Sequence, residues 1–180
     1  MKEMKSDKFF LQIIQKKPGD NPNNAYEMIR VIEKETGKVI TIAYYCKNAY
    51  QLFGYHFNSG SLNENETGIV FDDLYADLMN TNPKEFEAML MHEVGHLING
   101  DLDAEKSDDE IVEERLLGII SGKVDTKELA ADRFAVEHCG KNAVLRMLDH
   151  VMMTRKNRHT TDEALALREL ELRKQAVIRM

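Results

Sequence analysis

The chain has 180 residues, 43% of them hydrophobic and 31% charged. That excludes a disordered or fibrous chain and fits one folded domain over residues 1–180. The 31 acidic side chains outnumber the 24 basic ones, for a net charge of −7, which argues against nucleic acid as a partner.

The chain order starts with lysines that no signal-peptide core follows. Nowhere does an apolar run approach the roughly 20 residues of a membrane span. Cys46 and Cys139 lie far apart and form no disulfide framework. The expectation is a cytoplasmic protein with reduced thiols and no membrane contact.

Residues 1–24 read as a partly loop-like N-terminal segment. Within it, 9–14 is apolar enough to start a helix or a strand, while 17–24 holds Pro18, Gly19 and Pro22 and reads as loop. A short helix is expected over 24–34, closing at Gly37, and a strand over 39–45, where β-branched and aromatic residues dominate. A further strand is expected at 50–57, then a polar turn over 58–67 and a short strand at 68–72. Asn82 as N-cap, Pro83 at the first helical position and Glu85 as its capping-box partner predict a helix that ends at Gly100. The acidic stretch 103–114 lacks the spacing of a calcium loop and reads as solvated loop and helix start. Helices are expected near 108–120, 126–139, 142–155 and 161–178. Strands precede helices, so the class is α+β.

Within the helix after Pro83 stands His92-Glu93-Val94-Gly95-His96. Histidines at i and i+4 share one helix face, so both imidazoles can reach one metal ion, and Glu93 stands close enough to contact a water on that metal. Phe86, Met89, Leu90 and Leu97 fall near Glu93 on the helical wheel, which puts the histidines at the edge of the buried face. A catalytic zinc site needs three protein ligands and an open position. The metzincin extension fails, because Asn99 and Leu102 occupy its positions. Glu128, in Glu128-Leu129-Ala130-Ala131-Asp132, is the best third ligand; Asp101, Asp103 and His138 are weaker candidates. Asp132 lies one turn later on the same face, placed to accept a hydrogen bond from a ligand imidazole. Ala131 and Ala135 would let this helix pack closely on the first. The competing reading makes Asp125 the N-cap and Glu128 its capping-box partner.

Together HEVGH, the following Asp101 and ELAADRFA resemble the gluzincin zinc peptidases, specifically the HtpX-like and CaaX-prenyl-protease family. The ImmA/IrrE-type peptidases are the nearest soluble comparison. The stretch from Asn48-Ala49 to GIVFD also resembles what precedes the motif there. The resemblance implies Zn2+ on His92, His96 and Glu128, Glu93 as general base, and Asp132 as a supporting carboxylate. It also implies a small antiparallel sheet with an edge strand over the motif helix, then a mainly helical C-terminal half. Members of the first family carry transmembrane helices that this chain lacks, and ImmA/IrrE-type proteins resemble ExxANxFA where this chain has Asp132.

The expected function is hydrolysis of peptide bonds in a protein or peptide substrate by zinc-activated water. A zinc-binding protein without peptidase activity and a non-peptide hydrolase are the alternatives. A donor for the oxyanion is sought among His150, Tyr44, Tyr45, Tyr50 and Tyr55. The segment 141–180 reads as a helical packing extension, with a homo-oligomer contact as the sharper alternative.

Overall fold

The computed structural model describes residues 8–14, 25–53, 56–63, 66–101, 108–156 and 163–180. The expected loop at 17–24, Tyr55 and Asp103 lie outside the described residues. The class is α+β, as expected. Five strands, β1 (Phe9–Ile13), β2 (Ala25–Glu33), β3 (Val39–Cys46), β4 (Phe57–Asn63) and β5 (Glu66–Phe71), form one sheet in the order β1-β2-β3-β5-β4. Short helices α1 (Ala49–Phe53) and α2 (Asp73–Thr81) lie among them, and α3 (Pro83–Asn99), α4 (Asp108–Ile120), α5 (Thr126–Cys139), α6 (Lys141–Lys156) and α7 (Glu163–Arg179) follow.

The sheet is mixed, not antiparallel. β3 and β5 run parallel, with Ala43 opposite Ile69, while the other three pairings are antiparallel. The segment from β3 through α1 and β4 carries the chain over so that β5 can align with β3. The helix expected over 24–34 is β2. Its Ile29 and Val31 are buried on one face, a two-residue period that satisfies neighbours on both sides. The expected strand at 50–57 is largely α1, and the expected polar turn is the β4–β5 hairpin. The sheet edge beside the motif helix is therefore β4, with β5 enclosed between β3 and β4.

Ile29, Val31, Ala43, Ile69 and Phe71 from the sheet join Phe86, Leu90 and Val94 of α3 in one core. α3 starts at Pro83 as expected, but no capping box forms. The backbone N–H of Asn82 closes α2 on Leu78 O, its side chain makes no cap bond to α3, and Glu85 pairs with Arg146 of α6 at 3.1 Å. Gly100 ends α3 in the left-handed conformation, φ 71°, where glycine carries no Cβ penalty.

α5 lies directly on α3. A Cβ built on Gly95 would stand 2.9 Å from Ala131 Cα and 3.3 Å from Ala131 O, so only glycine admits this approach. Ala131 and Ala135 are both fully buried, as the small-residue spacing on α5 predicts. No helix among the described residues is long and apolar enough to cross a membrane.

Candidate metal centre

His92 and His96 project from α3, and Glu128 projects from the first turn of α5. Their ligand-capable atoms all lie within 4.8 Å of one another. The two Nε2 atoms are 3.2 Å apart. Glu128 Oε2 is 3.4 Å from His92 Nε2, and Oε1 is 3.9 Å from His96 Nε2. Two atoms each bonded at about 2.0–2.1 Å to one tetrahedral zinc stand about 3.3 Å apart. The first two spacings fit a single ion, and a small carboxylate rotation closes the third. Glu128 is not a capping-box residue: Asp125 caps α5 alone, accepting from Lys127 N at 2.7 Å.

Each imidazole is anchored through its other nitrogen. His92 Nδ1 lies 2.9 Å from Asp132 Oδ1, and His96 Nδ1 lies 2.9 Å from Asp101 Oδ2. A carboxylate on Nδ1 fixes the tautomer that keeps an Nε2 lone pair for a metal. Asp132 thus stands against the His92 ring nitrogen turned away from His96. Asp101, weighed as a ligand, instead orients His96. His138 is away from the cluster, its Nδ1 bonded to Phe134 O at 2.7 Å.

Glu93 is buried, and β4 holds it. Ser59 N and Ser59 Oγ both donate to Glu93 Oε2, at 2.9 and 2.7 Å. Oε1 accepts no bond from the described residues. Glu93, His92, His96 and Glu128 line one cavity of about 280 Å³, whose walls include Tyr75, Met147 and Leu148.

Sequence reasoning missed the arginines. Arg173 of α7 is buried, with Nη1 2.7 Å from Glu128 Oε2 and Nη2 2.6 Å from Asp132 Oδ1. Arg115 of α4 pairs with Glu169 at 2.8 Å and stands 3.5 Å from Glu128. Arg173 lies between Leu170 and Val177 on the apolar stripe of α7, and a cation inside such a stripe is the signal a sequence offers. Ser59 and His56 fell within or beside the stretch read as strand and turn, where no periodicity marks them. Of the oxyanion candidates, Tyr45 donates to Asp73, Tyr50 stacks on His56, and His150 and Tyr44 are not among the residues lining the cavity.

The electrostatics suit a cation. Five acidic residues, Glu93, Asp101, Glu128, Asp132 and Glu169, outnumber the three arginines, Arg115, Arg155 and Arg173, around the histidine pair. For Asp132, burial works against ionisation, but Arg173 outweighs it and brings the carboxyl down to about 2. Burial likewise opposes ionisation of Glu128, yet Arg173 and His92 hold it well below the usual carboxylate range. Burial and Arg173 push His92 down, and the Asp132 and Glu128 carboxylates more than compensate, to about 9. A metal bound at His92 would compete with a proton for the ring. Comparison with protein-family models, curated proteins and solved structures yields no match.

Proposed function

We propose that this chain is a zinc-dependent hydrolase of peptide bonds, similar in its site to gluzincin peptidases. The observation that carries the reading is the convergence of three ligand atoms within 4.8 Å, with a carboxylate behind each imidazole. His92, His96 and Glu128 would hold the ion. Bound zinc supplies Lewis acidity and a water acidic enough to react near neutral pH. Glu93 takes the water proton on Oε1 and returns it to the departing amine nitrogen, while Ser59 keeps Oε2 fixed. Asp132 and Asp101 hold the imidazoles in the ligating tautomer. A structural zinc site closes with four protein ligands and needs no base; three candidate ligands beside a carboxylate in a cavity favour catalysis.

The test pairs metal analysis with turnover. Wild type should carry about one zinc per chain, and His92→Ala and His96→Ala should lose it. Glu93→Gln should keep the zinc and lose about 10²–10⁴-fold in rate. Equal zinc in wild type and both histidine variants rules the site out. The Arg173–Glu128 contact at 2.7 Å favours a second reading, a buried ion-pair network that binds no metal; metal-free wild type is its signature.

A further inference from the structure

One face of α6 forms a wall of the cavity that holds Glu93 and the histidine pair. Met147, Leu148, Val151, Thr154 and Arg155 all line it, and their steps of three and four residues put them in one stripe of the helix. Met147 and Leu148 are fully buried and Arg155 is exposed, so the stripe runs from the floor of the cavity to its rim. At 1.5 Å per residue, Arg155 stands about 10–12 Å along α6 from the buried pair, roughly the span of three extended peptide residues. Arg155 differs from the other arginines of the cavity. Arg173 is engaged by Asp132 at 2.6 and 2.8 Å and by Glu128 at 2.7 Å. Arg115 is engaged by Glu169 at 2.8 and 2.9 Å. Arg155 has no acidic partner among the described residues, and nothing in the metal-holding arrangement uses it.

We propose that Arg155 binds a carboxylate of the substrate, so that the site selects peptides carrying that group within about three residues of the scissile bond. The proposal rests on the hydrolase reading of the site. A guanidinium presents two parallel N–H donors to a carboxylate and sheds its water more readily than an ammonium does. The carboxylate has two possible sources, the chain terminus and an Asp or Glu side chain, and both are recognised by the same chemistry. The apolar part of the stripe, Met147, Leu148 and Val151, offers a carboxylate no hydrogen bond, which places the group at Arg155 and not deeper. Charge balance permits it. Acids exceed arginines around the histidine pair by two, five against three, and one divalent ion cancels that excess. A substrate carboxylate then meets an unpaired cation and no net repulsion, whereas a substrate Lys or Arg at the rim meets like charge. The rival account is a helix end: a cation in the last turn of α6 complements the helix dipole. That role contributes stability and no selectivity.

The experiment uses the zinc-loaded chain and two sets of peptides built on a sequence that wild type cleaves. The first compares a C-terminal acid with its amide, at successive lengths beyond the bond. The second, amidated throughout, compares Asp with Asn and with Lys at each position flanking the bond. Wild type should favour the carboxylate in at least one set by about 5–10-fold in kcat/KM, a value between an exposed ion pair and a hydrogen bond to a charge, and mainly through KM. The set that responds identifies the source. Arg155→Lys should keep a reduced preference. Arg155→Glu should reverse it, favouring amide over acid or Lys over Asp, a gain that misfolding does not produce. Calorimetry with short acid and amide peptides reads the same preference as a ratio of Kd values and needs no turnover. Indifference of wild type to the carboxylate in both sets, or an unchanged preference in Arg155→Glu, overturns the proposal and leaves the hydrolase reading standing. A wild type that cleaves no peptide overturns the hydrolase reading, and the Kd ratios of wild type and Arg155→Glu then decide whether Arg155 binds a carboxylate.

Discussion

Ser59 spends a backbone N–H and a hydroxyl on a single carboxylate oxygen of Glu93. Hydrogen bonds to a charged group contribute about 1.5–3 kcal/mol each. Ser59→Ala removes one and leaves the backbone donor, so kcat should drop roughly 10–100-fold with zinc content unchanged and recover in Ser59→Thr. Asp132 has a heavier role than a ligand's support. It is fully buried and bonded to both His92 and Arg173. Asp132→Ala leaves the buried Arg173 guanidinium with Glu128 alone, a loss approaching the roughly 3–5 kcal/mol of a broken buried pair, and urea titration of the metal-free protein should register it. Cys139 behaves oppositely to a reactive thiol. Burial first, and then the Glu87 charge, push its pKa up to about 12. Its folded value lies above the unfolded one, so its contribution to stability is complete below about pH 8.5 and falls as pH climbs toward 12. Iodoacetamide at pH 8 should leave Cys139 unmodified in the folded protein and modify it once denaturant is added; rapid labelling of native protein contradicts this.

Between elements, the decisive contact is α3 on α5. Gly95 sits inside HEVGH and touches the backbone of Ala131, so one residue sets the helix separation that brings Glu128 to the histidines. Gly95→Ala must push the helices apart, because backbone atoms cannot turn aside. Overpacking of this kind costs about 1–3 kcal/mol, and zinc affinity should fall further than stability does, as competition with a chelator will reveal. This part of the molecule was legible in the sequence: the i, i+4 histidines, Ala131 and Ala135, and the helix ends at Pro83, Gly100 and Asp125 all encode local geometry. The sheet was less legible. β2, AYEMIRVIE, mixes helix-favouring Glu, Met and Arg with Ile29, Val31 and Ile32, and pairing with β1 and β3 decides the outcome. β4, FNSGSLN, is polar because it is an edge strand, and only its partner β5 makes it a strand at all. Ser59 and His56 could not be found before that pairing was known.

For the molecule as a whole, the last helix completes the centre built by α3 and α5. α7 packs on α4, α5 and α6, and its buried face, Glu169, Leu170, Arg173 and Val177, is directed into the chain's own interior. The segment read as a C-terminal extension therefore supplies the counter-charge of the candidate metal centre. Arg173 neutralises Glu128 and Asp132, so a divalent cation and Arg173 act on the same surplus of negative charge. Removing the arginine makes the metal matter more. In wild type, zinc at 100 times its Kd should add about 2.7 kcal/mol, a rise in Tm of about 5–10 °C for a chain of this size. Arg173→Met leaves the carboxylates facing one another, so its metal-free form should melt well below wild-type apoprotein, and zinc should recover a larger share of the loss. Calorimetric scans with zinc and with chelator, on both proteins, measure the four melting points. A smaller zinc-induced rise in Arg173→Met than in wild type would show that Arg173 assists the ion and does not share its role. That outcome would place the guanidinium among the groups that orient Glu128 for metal.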